Sequence, residues 1–364
     1  MEILVFLSLI ASGLAARAMN PGIAKPVSLN ASTNIWLDYT LHPNSIFRAK
    51  VEAAAKHIED GELRQKALRV AEIGTFIWVD STESLSGIEI ALEDLPSDQI
   101  LGVVLQNLPR HHCSSLPVNR PPKKTIEEIS NAYQKDIIDE VAINMGLQQS
   151  CARRIKEVYL ENTAYALAKL NKPNVIIYID AGEESVGWDD SRVPIADIIA
   201  QAYEAAGRPS QVRGFATNVA NLNSWDLSPG EFATADDSQW NPAQNEKRYV
   251  SLLSEDLRNR SVPHYAIVDT SRSAVQGLRR QPGTRCNVNH AGFGVRPTSE
   301  TGSEWTDAFV WAKQGGDSDG TSDVQSETYE SECGLEEAFK PSPEAGEWHQ
   351  VYFEMLVENA KPSF

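Results

Sequence analysis

Six short apolar runs recur along this chain, each rich in β-branched or aromatic residues and each ending in polar residues or glycine. They are Ile73–Asp80, Ile100–Leu108, Asn174–Asp180, Val212–Ala220, His264–Asp269 and Asp307–Lys313. Runs of this length suit strands, whereas Ser45–Ala71, Thr125–Val141, Ala152–Leu170 and Pro194–Ala206 carry the spacing of amphipathic helices. Strands separated by such helices join through right-handed crossovers, which places them parallel in one sheet. Six units in one stretch predict an α/β fold, a closed or nearly closed parallel β/α barrel. In that architecture the chemistry sits at the carboxyl ends of the strands.

A chain of 364 residues, 41% hydrophobic and 23% charged, can bury a large core. No Pro/Ser/Thr-rich linker divides it, so one domain over residues 19–364 is expected, without an appended binding module. Met1 to Ala11 is an apolar run too short to span a bilayer. Ala16-Arg17-Ala18 fits a cleavage site before Met19, which predicts an export signal over residues 1–18 and an extracellular protein. The four cysteines, Cys113, Cys151, Cys286 and Cys333, then read as two disulfides, with three pairings open. Asn30-Ala31-Ser32 and Asn259-Arg260-Ser261 are glycosylation sequons. A net charge of −17 argues against nucleic acid and anionic membranes and for a neutral or cationic partner.

The residues that follow each run are Asp80, 107–113, 180–188, 218–225, 269–272 and 313–323. They are rich in Asp, Asn, Trp and Arg and poor in Ser/His pairs or metal-ligand clusters, so neither a metal nor a cofactor is expected. Amides bond sugar hydroxyls, and indole faces stack on the apolar faces of pyranose rings. Carboxylates among them supply acid and base. The pattern points to carbohydrate chemistry.

At these strand ends the sequence resembles glycoside hydrolase family 6, the inverting cellobiohydrolases and endoglucanases. The resemblance rests on Tyr178-Ile-Asp180-Ala-Gly182, Arg213-Gly-Phe-Ala-Thr-Asn218-Val-Ala-Asn221, Asn245-Glu246-Lys247 and Asp269-Thr-Ser-Arg272. Gly292-Phe-Gly-x-Arg296-Pro297, Phe309-Val-Trp311-Ala-Lys313-x-Gly-Gly-x-x-Asp319-Gly-Thr-Ser-Asp323 and Asn359-Ala-x-Pro-Ser-Phe364 complete it in the family's order. It covers about residues 73–364 and implies a distorted parallel barrel, usually of seven strands. It also implies the pairings Cys113–Cys151 and Cys286–Cys333.

Inversion needs one carboxyl to protonate the leaving oxygen and another to activate water, about 6.5–9.5 Å apart. By the resemblance, Asp319 falls at the candidate base. Lys313 falls at a sugar-binding lysine, Asp180 at a cleft aspartate, and Asp317 where the family usually has Glu. Trp188 and Trp36 are expected as stacking platforms and Asn221 as a sugar-binding amide. Arg285 replaces another tryptophan, and Glu183-Glu184-Ser185-Val186 replaces a segment normally containing His and Trp.

The acid half departs from the pattern. His112 stands where a supporting aspartate belongs, and Gln106 replaces a tyrosine. Between Cys113 and Cys151 the chain is shorter than the family by about one strand, and the acid motif is absent. Thr125–Val141 aligns best as the preceding helix, while a rival alignment puts Asp136 at the acid. Zinc at His111, His112 and Cys113 is disfavoured, since an oxidised cysteine cannot ligate it. The expectation is therefore a monomeric β-1,4-glucan hydrolase acting on β-glucan or cello-oligosaccharides from a barrel short of one strand. The alternative is a catalytically impaired glucan-binding protein on the same scaffold.

Overall fold

The computed structural model describes residues 3–7, 28–79, 86–93, 95–105, 152–235, 238–282 and 284–364. All six expected strands are present: β3 (Ile77–Val79), β4 (Gln99–Leu105), β5 (Val175–Asp180), β6 (Val212–Thr217), β7 (Tyr265–Asp269) and β8 (Thr306–Val310). β5 to β8 pair in parallel in chain order, and β3 pairs in parallel with β4. A two-residue β2 (Thr40–Leu41) also lies along β4. The architecture is the distorted parallel β/α barrel that the alternation predicts.

One strand was not anticipated. β1 (Ile3–Leu7) lies between β4 and β5 and is antiparallel to both, with Val5 opposite Val103 on one side and Ile177 on the other. No parallel strand stands at that place among the described residues, which is where the shortened chain predicts a gap. The same residues form the apolar run expected as an export signal. Apolar and β-branched residues suit a strand paired on both sides as well as a leader.

The strands alternate their side chains between two cores. Ile176 and Tyr178 of β5, Ala216 of β6, Ile267 of β7 and Ala308 and Val310 of β8 fill the barrel interior. Val175, Ile177 and Ile179 face outward against the helices. Each fully buried aliphatic side chain contributes about 1.5–3 kcal/mol, and truncating one such as Ile177 to Ala would cost about 2–5 kcal/mol. The amino-terminal end of the interior is closed by a buried ion pair. Arg213 holds Asp307 through two bonds of 2.8 Å, and the Tyr178 hydroxyl donates to the same carboxylate at 2.8 Å.

The helices are α1 (Ser45–Ala55), α2 (Gly61–Val70), α3 (Ser86–Glu93), α4 (Ala152–Lys169), α5 (Asp189–Ala205), α6 (Glu246–Asn259) and α7 (Gln350–Glu358). The expected Ser45–Ala71 helix is two. Asp60 accepts the Leu63 backbone N–H and caps a fresh start, which ends the first helix before it. Helix Thr125–Val141 lies outside the described residues. Cys286 and Cys333 form a disulfide, and the Cys113–Cys151 pairing also lies outside them.

Candidate active site

The carboxyl ends of β6, β7 and β8 are tied together by one buried side chain. Asp269, the last residue of β7, accepts the backbone N–H of Ser271 at 2.9 Å, of Lys313 at 2.9 Å and of Ala220 at 3.1 Å. Asn218, at the end of β6 with a left-handed φ of 58°, donates from its amide to the Asp269 carbonyl at 2.8 Å. Burial pushes the Asp269 carboxyl up, and the backbone donors work against that rise.

Asp319 sits on the loop after β8, with its side chain 12% exposed. Arg272, wholly buried, reaches it at 2.5 Å, and the Lys313 ammonium stands 3.3 Å from its other oxygen. Asn287 adds a backbone N–H at 2.8 Å. Burial alone would raise the carboxyl, but the charges of Arg272 and Lys313 win and bring it down to about 2. Arg272 is held protonated in turn, since the adjacent Asp319 charge outweighs its own burial. Asp319 is therefore a fixed anion at all but very low pH. Two cations flank this carboxylate, and the Asp269 carboxyl also acts on Arg272.

The loop is braced from below. Gly320 lies against the disulfide, where an added Cβ would meet the Cys333 sulfur at 2.7 Å, so no larger residue fits there. Asn287, next to Cys286, donates to the Gly320 carbonyl at 2.9 Å and accepts the Asp319 N–H at 2.9 Å. The Cys286–Cys333 bridge thus fixes the backbone on both sides of the carboxylate.

The remaining candidates are placed unevenly. Lys313, expected as a sugar-binding lysine, stands beside Asp319. Asp317 is ion-paired with Lys50 of α1 at 2.7 Å. Asp180, at the end of β5, accepts the Gly182 N–H at 3.1 Å and shapes the turn that follows. Trp188 stands at the N-cap of α5, partly exposed. Asn221 is buried and accepts from Arg279 at 2.9 Å, so its oxygen serves the loop scaffold. Its amide nitrogen has no hydrogen-bond partner among the described residues. Trp36 is 8% exposed and packs in the interior cluster with Tyr178, toward the amino-terminal end that Arg213 and Asp307 close. This position is opposite the strand ends that hold Asp319. Gln106, His111, His112, Cys113 and Asp136 lie outside the described residues.

Several residues went unassigned in the sequence. Arg272 lies in a quoted motif, three positions after the strand-ending Asp269, and that spacing was its signal. Trp78 donates its indole N–H to the Ala312 carbonyl at 2.7 Å, and Lys313 lies 6.0 Å from its ring centroid. It was hidden inside the Ile73–Asp80 run. Lys50 had no signal, being 267 positions from its partner.

A second buried cluster lies behind the Asp180 turn. Glu246, at the start of α6, accepts the Glu184 backbone N–H and the Asn223 amide, each at 2.8 Å. Burial pushes Glu184 up to about 9, with the Glu246 charge adding to it, and burial pushes Glu246 up to about 7. Arg279 braces the neighbouring loop through Asn223 at 2.8 Å and Glu231 at 2.5 Å.

Comparison with known proteins agrees with this geometry. The model of Glycosyl hydrolases family 6 matches residues 36–143 and 132–360, two stretches that meet inside the region where the acid motif is absent. The 1,4-beta-D-glucan cellobiohydrolase CEL6C of Podospora anserina is 43% identical, over 98% of this chain and 97% of its own length. That alignment spans 391 residues against the 364 here, so the relative carries residues with no counterpart in this chain. Exoglucanase 3 of Agaricus bisporus is 37% identical, over 91% of this chain and 80% of its own. Among solved structures, the CcCel6A catalytic domain complexed with p-nitrophenyl beta-D-cellotrioside superposes with a TM-score of 0.80. It is 33% identical and covers 91% of this chain and 99% of that one. Cellobiohydrolase II (Cel6A) from Humicola insolens, in complex with glucose and cellotetraose, gives 0.76 at 34% identity, covering 91% and 100%. Fold, motif order and strand-end chemistry agree: the chain belongs to family 6 of the glycosyl hydrolases, a family of glycosidases.

Proposed function

We propose that this protein is an extracellular, monomeric β-1,4-glucan hydrolase that acts with inversion and turns over slowly. The carrying observation is Asp319, a carboxylate kept ionised by Arg272 and Lys313 on a disulfide-braced loop at the carboxyl end of β8. A fixed anion there can orient a water on the far side of the glycosidic bond and accept its proton as the sugar develops positive charge. A carboxyl brought down to about 2 is a weak base in the ground state, so its help comes late, when the attacking water has become acidic. Lys313, Asp180 and Trp188 lie at strand ends where a sugar chain could run.

The acid half supports slow turnover. General acid catalysis contributes about 10²–10⁴-fold, and the family's acid motif is absent from the sequence, leaving Asp136 as the rival acid. His112 cannot supply the fixed anion that the supporting aspartate gives. This favours, as the second reading, a glucan-binding protein that has lost hydrolysis.

The experiment is to measure reducing ends released from barley β-glucan and cello-oligosaccharide affinity by calorimetry on the same preparation. Binding with slow release of α-configured ends, abolished in Asp319→Asn, is the expected result. Binding without release selects the second reading. Turnover near ~10 s⁻¹, the median of enzymes generally, overturns the argument about the acid half.

A further inference from the structure

Among the described aromatic side chains Trp240 is the most exposed, with 76% of its surface in water. Its backbone is anchored. The neighbouring Asn241 is buried and donates to the Glu184 carbonyl at 2.8 Å, while its oxygen accepts the Ala243 N–H at 2.9 Å. Earlier in the same excursion, Phe232 is buried under the Arg279 guanidinium, 5.1 Å away. A large apolar ring is thus presented to solvent on a braced loop.

The location gives it a use. The loop packs on the turn that leads into Trp188. A Cβ added at Gly187 would lie 2.6 Å from the Asn241 side-chain oxygen and 2.2 Å from the Ala243 Cβ. Gly187 and Asn241 are therefore in contact, and each is the chain neighbour of a tryptophan. One peptide step moves the chain about 3.8 Å, so the Trp188 and Trp240 backbones lie within reach of successive rings of one sugar chain.

We propose that Trp240 is a further sugar-binding platform beyond Trp188, taking a pyranose ring of the same β-1,4-glucan chain outside the cleft. This rests on the glucan reading above. The stacking of an indole face on the apolar face of a pyranose needs no charge, which suits a neutral polymer on a protein of net charge −17. Such a platform adds affinity only for chains long enough to span from the cleft to it.

The test compares cellotriose and cellohexaose binding by calorimetry to the full chain, Trp240→Ala, Trp240→Phe and Trp188→Ala. Trp240→Ala should weaken cellohexaose by roughly 3- to 10-fold, the scale of one aromatic stack, and leave cellotriose unchanged. Trp240→Phe should recover most of the loss. Equal cellohexaose affinity in Trp240→Ala, or equal loss for both lengths, overturns the platform while the glucan reading stands. No sugar binding by the unmodified chain overturns both. Loss in Trp240→Ala of a concentration-dependent dimer, with sugar affinity intact, assigns the ring to a second copy of the chain and also overturns the platform.

Discussion

The carboxylate of Asp269 accepts the backbone N–H of Lys313 at 2.9 Å, so the strand end that carries the lysine is held by a buried anion on the neighbouring strand. The same carboxylate holds the Ala220 N–H, and the Ala220 carbonyl accepts from Arg272 at 2.6 Å. Both cations that fix Asp319 are thus positioned through Asp269. Asp269→Asn turns one acceptor oxygen into a donor that faces backbone N–H groups. Each orphaned group costs about 1–3 kcal/mol. The variant should unfold at lower urea concentration, and the acid limb of sugar binding should move to higher pH as Asp319 loses its cations. A change in stability with an unmoved acid limb would reduce Asp269 to a structural role.

Removing the anion itself should do more damage than removing a surface charge. Asp319→Asn leaves Arg272 buried without its counterion, and breaking such a pair costs about 3–5 kcal/mol. Equilibrium denaturation should show that loss beside the loss of hydrolysis. Arg272→Lys should recover little of the wild-type geometry, because an ammonium cannot hold Asp319 and the Ala220 carbonyl with the same fork.

Stability should peak in mildly acid solution. The Asp319 carboxyl is depressed, so its contribution is complete above its ordinary value near 4 and is lost as pH falls toward about 2. One pKa unit is about 1.4 kcal/mol, which makes this contribution about 2 kcal/mol. Glu184 and Glu246 are raised, so their contribution is complete below the ordinary glutamate range. It fades as pH rises through about 7 for Glu246 and about 9 for Glu184. Melting temperature should therefore decline from about pH 4.5 upward, the Glu246 part ending near 7 and the Glu184 part near 9, and Glu246→Gln should flatten the decline below 7. A melting temperature that stays level from pH 6 to 9 in the unmodified chain contradicts the burial of this pair.

The disulfide closes a separation of 47 residues. In the chain-entropy account such a loop contributes about 4 kcal/mol. The double variant Cys286→Ala, Cys333→Ala should lose stability on that scale. It should also weaken the hold of Asn287 on Asp319, seen as a raised acid limb in binding. An unchanged limb would show that the loop is held by its hydrogen bonds alone.

How much of this was legible in the sequence depends on the range of the interaction. All six predicted strands form, because β-branched runs flanked by turn residues report local preference and burial together. The split at Asp60 has a local signal, a capping side chain inside a helical pattern, that the apolar spacing on either side masks. The resemblance marked Lys313 and Asp319 as separate candidates, and their ion pair appears only in the folded strand ends. Lys50 against Asp317 was not legible, since a lone lysine carries no trace of a carboxylate 267 positions away in the chain. Trp36 illustrates the converse. An indole reads the same whether it lines a cleft or plugs the closed end of a barrel, and only the three-dimensional position of Asp307 separates the two. Asn221 likewise looks like a sugar-binding amide in one dimension and braces Arg279 in three.

β1 gives the fold a dependence on time. Its five residues bridge β4 and β5, and a cut after Ala18 would withdraw them. Two hydrophobic strand edges would then face each other across a slit one strand wide, each with a row of unmatched amides and carbonyls. Exposed edges of that kind recruit whatever extended segment comes first, including another molecule. If the chain is cut after Ala18, that cut and the completion of the sheet are coupled steps. The order in which they occur would decide whether the chain ends as a monomer or as a strand-exchanged assembly.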